Sequence, residues 1–349
     1  MIISRTPFRI SFFGGGTDYP VWYYENGGAV LATSIDKYCY ISCRHLPPFF
    51  EHKSRMAYSK IENLKEGQEF EHPSARETLR FMGVKEGVEI HHDADLPART
   101  GLGSSSSFTV GLLHTLYALK QRMPTKMQLA QEAIHIERDL IKESVGSQDQ
   151  VTAACGGFNR ISFAQDGEIN VQPVIIGRER LALLQSHLML YFTGFSRLAS
   201  VIAEKQIQDT HKKKVELKAM FDMVDHSLGI LTGGTDLTEF GKLLHESWLL
   251  KRGLTDKISS PQIDEIYAAA RDAGSIGGKL LGAGGGGFIL LFAKPEDQPR
   301  IREKLKDLLH VPFRFENGGS QIIFYDHAIY GAERRANERA APAPTVDPA

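Results

Sequence analysis

Residues 96–107 read LPARTGLGSSSS, and the apolar run FTVGLLHTLYAL follows at once. Gly101 and Gly103, one residue apart, let the backbone come close to a ligand. The serines after them open a helix whose free N–H groups and positive dipole end suit an anion. The stretch is therefore read as a phosphate cradle at a turn-to-helix junction. An ordinary N-cap needs one serine, and the run from Ser104 to Ser107 exceeds that.

Around this cradle the chain has 349 residues, long enough for two domains with their own cores. Hydrophobic residues at 42% and charged residues at 24% describe an ordinary globular protein. A formal net charge of −1 leaves no global field to attract nucleic acid or an anionic membrane. Any charged ligand must be held by a local site, and neither nucleic acid nor membrane is expected as a partner. Cys39 and Cys43 fall on one face of a strand-like segment without a second ligand pair, so they read as small buried hydrophobes. With Cys155 the odd count suits a reducing cytoplasm. No secretory h-region and no membrane-length apolar run are found, so a cytoplasmic location is expected. The oligomeric state stays open, a homo-oligomer included.

Upstream of the cradle, residues 2–13 are rich in β-branched and aromatic residues, with Pro7 arguing for an edge or interrupted strand. The strand ends in GGGTDYP at 14–20, where bulk is excluded. Gly27-Gly28 separates a short turn from the strand-like AVLATSIDKYCYISCRHL. A second strand pair flanks Gly87, and VEIHHDADLP leads into the cradle.

Downstream, Pro124 stops the cradle helix near 122–123, and Thr125-x-x-Gln128 is a capping box for the next. On a helical wheel of about 100° per residue, Met127, Ala130, Ala133, Ile134, Ile136, Leu140 and Ile141 share one half. Glu137 falls in their midst. A carboxylate aimed at a core must be paired, protonated or bound to a metal, because leaving it charged and alone costs several kcal/mol. Ser147-x-x-Gln150 is a second capping box, and Gly156-Gly157 a stop, giving a short helix over 147–155. Asp149 in its first turn suits a base or a group that orients a nucleophile, and equally an ordinary helix-start aspartate.

The polar stretch 167–180 is the best boundary. A strand over 188–192 then turns through Thr193-Gly194-Phe195-Ser196-Arg197 into a long helical region to 251, whose lysines 212–214 read as a solvated face. Ser260-Pro261 starts another helix and Gly274 ends it. Glycines 284–287 precede a buried-type strand. Gly282, Gly284 and Gly287 match G-x-G-x-x-G, but a dinucleotide fingerprint follows a strand and opens a helix, so this match is a decoy. No P-loop is present, since Gly241-Lys242 and Gly278-Lys279 are each followed by leucine. A helix over 299–310 and strands near VPFRF and SQIIFYD complete an α+β pattern. The Ala- and Pro-rich tail from 334 is expected to be disordered.

Three glycine-rich elements thus follow in order: RTPFRISFFGGGTD, LPARTGLGSSSS and KLLGAGGGG. Together they resemble the GHMP kinases, the family of galactokinase, homoserine kinase and mevalonate kinase, over residues 3–325. The resemblance implies an α+β two-domain kinase: residues 1–178 like ribosomal protein S5 domain 2, residues 179–333 ferredoxin-like, and 334–349 a tail. It implies ATP and Mg²⁺ as cofactors. Pro97, Gly101, Leu102, Gly103, Ser104, Ser105 and Ser106 would surround ATP, and Ser105 with Glu137 would hold Mg²⁺. Asp149 would take or orient the proton of the attacking hydroxyl, helped by Arg9, and Gly284 and Gly285 would close over the triphosphate or substrate. Phosphoryl transfer asks for positioning and charge neutralisation rather than covalent chemistry, so this set suffices.

Gly15, Gly16, Thr17 and Asp18 would face the acceptor. Galactokinases carry G-E-H-T-D-Y where this chain has GGGTDY, so two hexose-contacting side chains give way to space without negative charge. GGGTDYP, SVGSQDQ and YFTGFSRLAS resemble the bacterial D-glycero-D-manno-heptose 7-phosphate kinases, which phosphorylate the anomeric C1 hydroxyl to the 1,7-bisphosphate, on the way to nucleotide-activated heptose for capsule or other surface polysaccharide. A phosphorylated sugar needs a cation, and Arg197 with Thr193 and Ser196 is the candidate. Kinases for fucose, arabinose, galactose or mannose are the alternative, as is an inactive ATP-binding sugar sensor.

Overall fold

The computed structural model describes residues 1–47, 49–194 and 199–326. In chain order, β1 (Ile2–Phe13), α1 (Pro20–Asn26) and β2 (Gly28–His45) are followed by β3 (Ser54–Ala57), β4 (Ile61–Leu64), α2 (Pro73–Phe81), β5 (Val88–Ala94) and the cradle helix α3 (Ser104–Leu119). Next, α4 (Lys126–His135) continues into a π-helical turn, Ile136–Leu140, and α5 (Gln148–Cys155) precedes β6 (Phe158–Phe163) and β7 (Ile169–Pro173). The second half runs α6 (Arg178–Ser186), β8 (Leu188–Phe192), α7 (Ala199–Asp209), α8 (Lys214–Thr232), α9 (Thr238–Arg252) and α10 (Pro261–Asp272). It closes with β9 (Gly277–Leu280), β10 (Phe288–Phe292), α11 (Gln298–Lys304), β11 (Leu309–His310), β12 (Phe315–Glu316) and β13 (Gln321–Tyr325).

The long strands β1 and β2 pair antiparallel and form the spine of the first sheet, in the order β13-β1-β2-β5-β3-β4, with β6 and β12 also on β2 and β7 on β6. β1 is therefore not an edge strand. Pro7, which lacks an N–H, is accommodated by a register shift at Pro7/Phe8, so the interrupted half of the sequence expectation holds. Residues 20–26, expected as a turn, form α1 with Pro20 in its first turn, a position where the missing N–H costs nothing. α3 is buried on nearly every side from Ser106 to Tyr117, packed on the faces of β1 and β2, which explains its continuous apolar run.

The second sheet, β11-β8-β10-β9, is antiparallel throughout. Its order of strands and helices is β-α-β-β-α-β, the ferredoxin-like arrangement. The single helical region expected up to 251 is broken into α7, α8 and α9, and the helix expected over 299–310 stops at Lys304 before β11. One boundary needs correcting. β12 pairs with β2 and β13 with β1, so the segment 315–325, which a cut at 178/179 assigns to the second domain, returns to the first sheet. The two halves share a core: Phe12 on β1 stands edge-on to Phe158, Phe240 and Phe315 at 5.7, 5.6 and 6.2 Å between ring centres.

Several local signals behave as read. Thr125 accepts from the Gln128 N–H at 3.1 Å, and Ser260 caps α10 with Pro261 in its first turn. Lys212, Lys213 and Lys214 pair with Asp209, Glu216 and Glu25 at the surface. Cys39 and Cys43 are buried free thiols, and burial raises both. Ser147, in contrast, makes no side-chain cap, and Gln150 is drawn elsewhere. Residues 334–349 lie outside the described residues. No helix among the described residues is long and apolar enough to cross a membrane.

Candidate active site

The cradle is built from backbone. Gly101 and Gly103 have φ of +86° and +76°, values that L side chains rarely adopt, and α3 begins at Ser104. The Arg99 N–H donates to Ser104 Oγ at 3.0 Å and the Thr100 hydroxyl to Pro97 O at 2.8 Å, closing the turn. Leu102 is buried, and its carbonyl accepts the Arg9 N–H at 3.0 Å, so the cradle is tied to β1.

The third glycine-rich element lies directly against the second. A Cβ on Gly282 would stand 2.4 Å from Gly101 Cα, one on Gly101 would stand 2.5 Å from Leu281 O, and one on Gly287 would meet Thr100 O at 2.2 Å. The Phe288 N–H donates to Thr100 O at 3.0 Å. Residues 281–287 therefore form the β9–β10 hairpin turn pressed onto the cradle, and the decoy reading of G-x-G-x-x-G stands. Gly284 and Gly285 also have positive φ; the Gly285 N–H donates to Ile258 O, and Gly284 backs onto the Ile258 backbone.

Beside this junction Arg9 on β1 grips Asp149 on α5 with two parallel bonds, Nε to Oδ1 and the second terminal nitrogen to Oδ2, each 2.8 Å. Its remaining nitrogen donates to Gly101 O at 2.6 Å. The Arg9 side chain is 5% exposed and that of Asp149 25%, so the carboxylate is the accessible end of the pair. A bidentate fork with a third contact leaves Asp149 one orientation and one distance from the cradle. Gly103 permits this: a Cβ there would crowd Arg9 Cγ at 3.2 Å and Asp149 Oδ2 at 3.5 Å.

Asp18 is buried, accepting the Gly16 N–H at 3.0 Å and the Gln148 N–H at 3.3 Å. Burial and then the nearby Asp149 charge push its carboxyl above the usual value. Gly146 is the close approach that makes room, since a Cβ there would sit 1.9 Å from Asp18 Oδ2. The Thr17 hydroxyl donates to Gly14 O and Ala29 O and shapes the turn from within. Gly15 is open, with Ser11 Oγ at 4.0 Å the nearest atom to an added Cβ, whereas Gly16 faces Gln206 and Leu217. Of the distal-phosphate group, Thr193 ties to Gly287 through backbone and hydroxyl bonds. Ser196 and Arg197 lie outside the described residues.

Glu137 sits in the π-helical turn with its side chain inside the core. Its Oε2 accepts from Ser106 Oγ at 2.8 Å and Gln150 Nε2 at 2.5 Å, while Oε1 is buried without a partner among the described residues. Burial pushes this carboxyl up to about 7 against the hydrogen bonds it accepts from Ser106 and Gln150. The hydroxyl on Glu137 is thus that of Ser106; Ser105 is exposed at the cradle surface. An orphaned carboxylate oxygen fits a divalent cation, with Glu137 and an adjacent serine hydroxyl as oxygen donors. Among the described residues no cluster of three or more His, Cys, Asp or Glu offers an alternative metal site.

Sequence reasoning missed two buried ammonium groups. Lys251 at the end of α9 donates to Leu280 O at 2.9 Å and Gly282 O at 2.5 Å, and Lys279 on β9 donates to Phe12 O at 2.8 Å. Desolvation lowers both, Lys279 to about 7. The available signal was a lysine at an inward position of WLLKR and of GGKLL, in otherwise apolar runs.

Residues 71–157 match the GHMP kinases N terminal domain, and 230–311 match the GHMP kinases C terminal family. The chain carries both GHMP kinase domains. It is 27% identical to the D-glycero-alpha-D-manno-heptose 7-phosphate kinase of Campylobacter jejuni, over 87% of this chain and 93% of that protein. It is 24% identical to the galactokinase of Thermotoga neapolitana, over 89% and 95% respectively. A crystal structure described as a D-glycero-D-manno-heptose 1-phosphate kinase from Bacteriodes thetaiotaomicron superposes with a TM-score of 0.76 at 23% identity, over 93% of this chain and 99% of that one. The two-domain GHMP kinase fold is therefore that of this chain, an ATP-using phosphotransferase of the carbohydrate kinase kind.

Proposed function

We propose that the protein phosphorylates the anomeric C1 hydroxyl of D-glycero-D-manno-heptose 7-phosphate, giving the 1,7-bisphosphate, from which nucleotide-activated heptose for a surface polysaccharide is made. The observation that carries the reading is the turn at Gly14-Gly15-Gly16 beside Asp18. It supplies an open backbone surface at Gly15, and the GGGTDY turn itself brings no carboxylate besides Asp18 that would repel a phosphorylated sugar. The similarity to a heptose 7-phosphate kinase along most of both chains supports the same substrate.

In this reading the triphosphate lies over Gly101, Gly103 and the start of α3, where N–H groups and the dipole oppose its charge. Mg²⁺, held through Glu137 with Ser105 or Ser106, supplies neutralisation of phosphate charge when bound. Arg9 fixes Asp149, and Asp149 takes the proton of the attacking hydroxyl on its exposed side. Asp18, held by two backbone N–H groups, orients sugar hydroxyls. Arg197 and Thr193 take the 7-phosphate, and the protein works in the cytoplasm.

The test is ADP release with ATP and Mg²⁺ over heptose 7-phosphate, mannose, fucose, galactose and arabinose. Heptose 7-phosphate is expected to give the highest kcat/KM. Preference for a neutral sugar refutes the substrate, and ADP release with none of them leaves the sensor reading.

A further inference from the structure

Two lysines lie inside the molecule at the seam between the sheets, and neither has a part in the chemistry above. Lys279 is 2% exposed and Lys251 7%. Neither forms an ion pair among the described residues. Lys279 has one hydrogen bond there, to Phe12 O, which leaves N–H groups of its ammonium unspent. Burying an amine this way costs several kcal/mol, and a methionine of similar length would fill the space without that cost. Stability therefore does not account for a lysine at this position.

What Lys279 touches does account for it. All four residues of β9 are buried, and Lys279 reaches from that strand across to the Phe12 carbonyl, one residue short of the end of β1. After Phe13 come Gly14, locked by Ala29 O at 1.9 Å from where a Cβ would be, then Gly15, Gly16 and Asp18. The bond thus joins the strand leading into the third glycine turn to the strand leading into the first. The charged groups that face Lys279 are Arg9 on β1, Asp18 beyond the first turn and Lys251 on α9. With Arg9 committed to Asp149, Lys279 has no ion-pair partner among the described residues, and the Asp18 carboxylate acts on it only through its field.

We propose that Lys279 is a positioning residue of the phosphoryl-transfer site, holding the first glycine turn and Asp18 against the third glycine turn and setting an unspent positive charge beside them as negative charge gathers there. The inference rests on the transfer site proposed above. Arg9, Asp18 and Asp149 keep their places because the seam is tied at Phe12. An incoming phosphorylated ligand supplies the anion that the buried ammonium lacks. Because desolvation brings Lys279 down to about 7, its charge is lost within the working pH range.

The experiment measures kcat and KM for ATP and for the best acceptor of the sugar panel from pH 6 to 9, with thermal melts, for wild type, Lys279→Met, Lys279→Arg and Asp149→Asn. Wild-type kcat/KM is expected to fall by about tenfold per pH unit above the Lys279 midpoint, and Lys279→Arg to lose that limb, since a guanidinium stays charged. Lys279→Met is expected to lower kcat on the order of 10²-fold while melting no lower than wild type at pH 7. Wild-type kcat in Lys279→Met, or an unchanged alkaline limb in Lys279→Arg, overturns the proposal while an inactive Asp149→Asn leaves the transfer site standing. Full activity of Asp149→Asn overturns both.

Discussion

Gly101→Ala and Gly282→Ala perturb one contact from its two sides. An ordinary Cβ contact begins at 3.4 Å, and the Cβ introduced by Gly282→Ala would start 2.4 Å from Gly101 Cα, so the hairpin turn and the cradle must part by about 1 Å. Both obstructing atoms are backbone, which cannot rotate away, and both sites have positive φ, which adds about 1–2 kcal/mol of strain per alanine. A reacting group displaced by that distance loses about 10²-fold in rate. Each variant should therefore lose on the order of 10²-fold in kcat/KM for ATP, measured by coupled ADP release. The double variant should lose less than the product of the singles, because the gap is opened once. Either single variant within twofold of wild type, or strict additivity, would refute the view that the turns work as one closed cradle.

Other outcomes follow from the same geometry. Arg9→Ala frees Asp149 and cuts the tie to Gly101 O, so kcat should fall on the order of 10²–10³-fold with a smaller change in the sugar KM. Glu137→Gln should abolish Mg²⁺-dependent turnover, and unchanged activity returns Glu137 to a structural role. Lys279 is lowered in the folded chain from its ordinary 10.5 to about 7, so its burial penalty is present below 7 and vanishes as pH rises towards 10.5. In urea titrations, Lys279→Met should therefore gain most over wild type at pH 6 to 7 and least near pH 10; a pH-independent difference contradicts that assignment. Phe240→Ala empties the packing between Phe12, Phe13 and Phe292, and a loss of about 3–5 kcal/mol is expected in the same assay.

The features legible in the sequence were those with a local cause. Glycine alone tolerates positive φ at several successive positions, so the three turns and their order could be read before any contact was known. Glu137 broke a helical period, which marks burial without coordinates. What escaped was set by distant partners. The return of β13 to β1 depends on a pairing across the whole chain, and Pro7 left an edge strand and an interrupted one both open, because the bulge that absorbs it is invisible in the sequence. Gln150 matched a capping box, but a buried carboxylate bids more strongly for its amide than the Ser147 backbone does. The choice between Ser105 and Ser106 turns on one residue of helix phase, about 100°, which a run of identical serines cannot specify. The burial of Lys251 and Lys279 is created only when the two sheets meet, and their sequence neighbours alone do not fix it.

The most direct test of the central claim is ³¹P NMR of the products formed from ATP, Mg²⁺ and heptose 7-phosphate by the wild-type protein. The account predicts ADP together with a new phosphate resonance coupled to the anomeric proton while the 7-phosphate signal is retained, and neither product with Asp149→Asn. A phosphate appearing on any other carbon, or transfer that survives in Asp149→Asn, would contradict it.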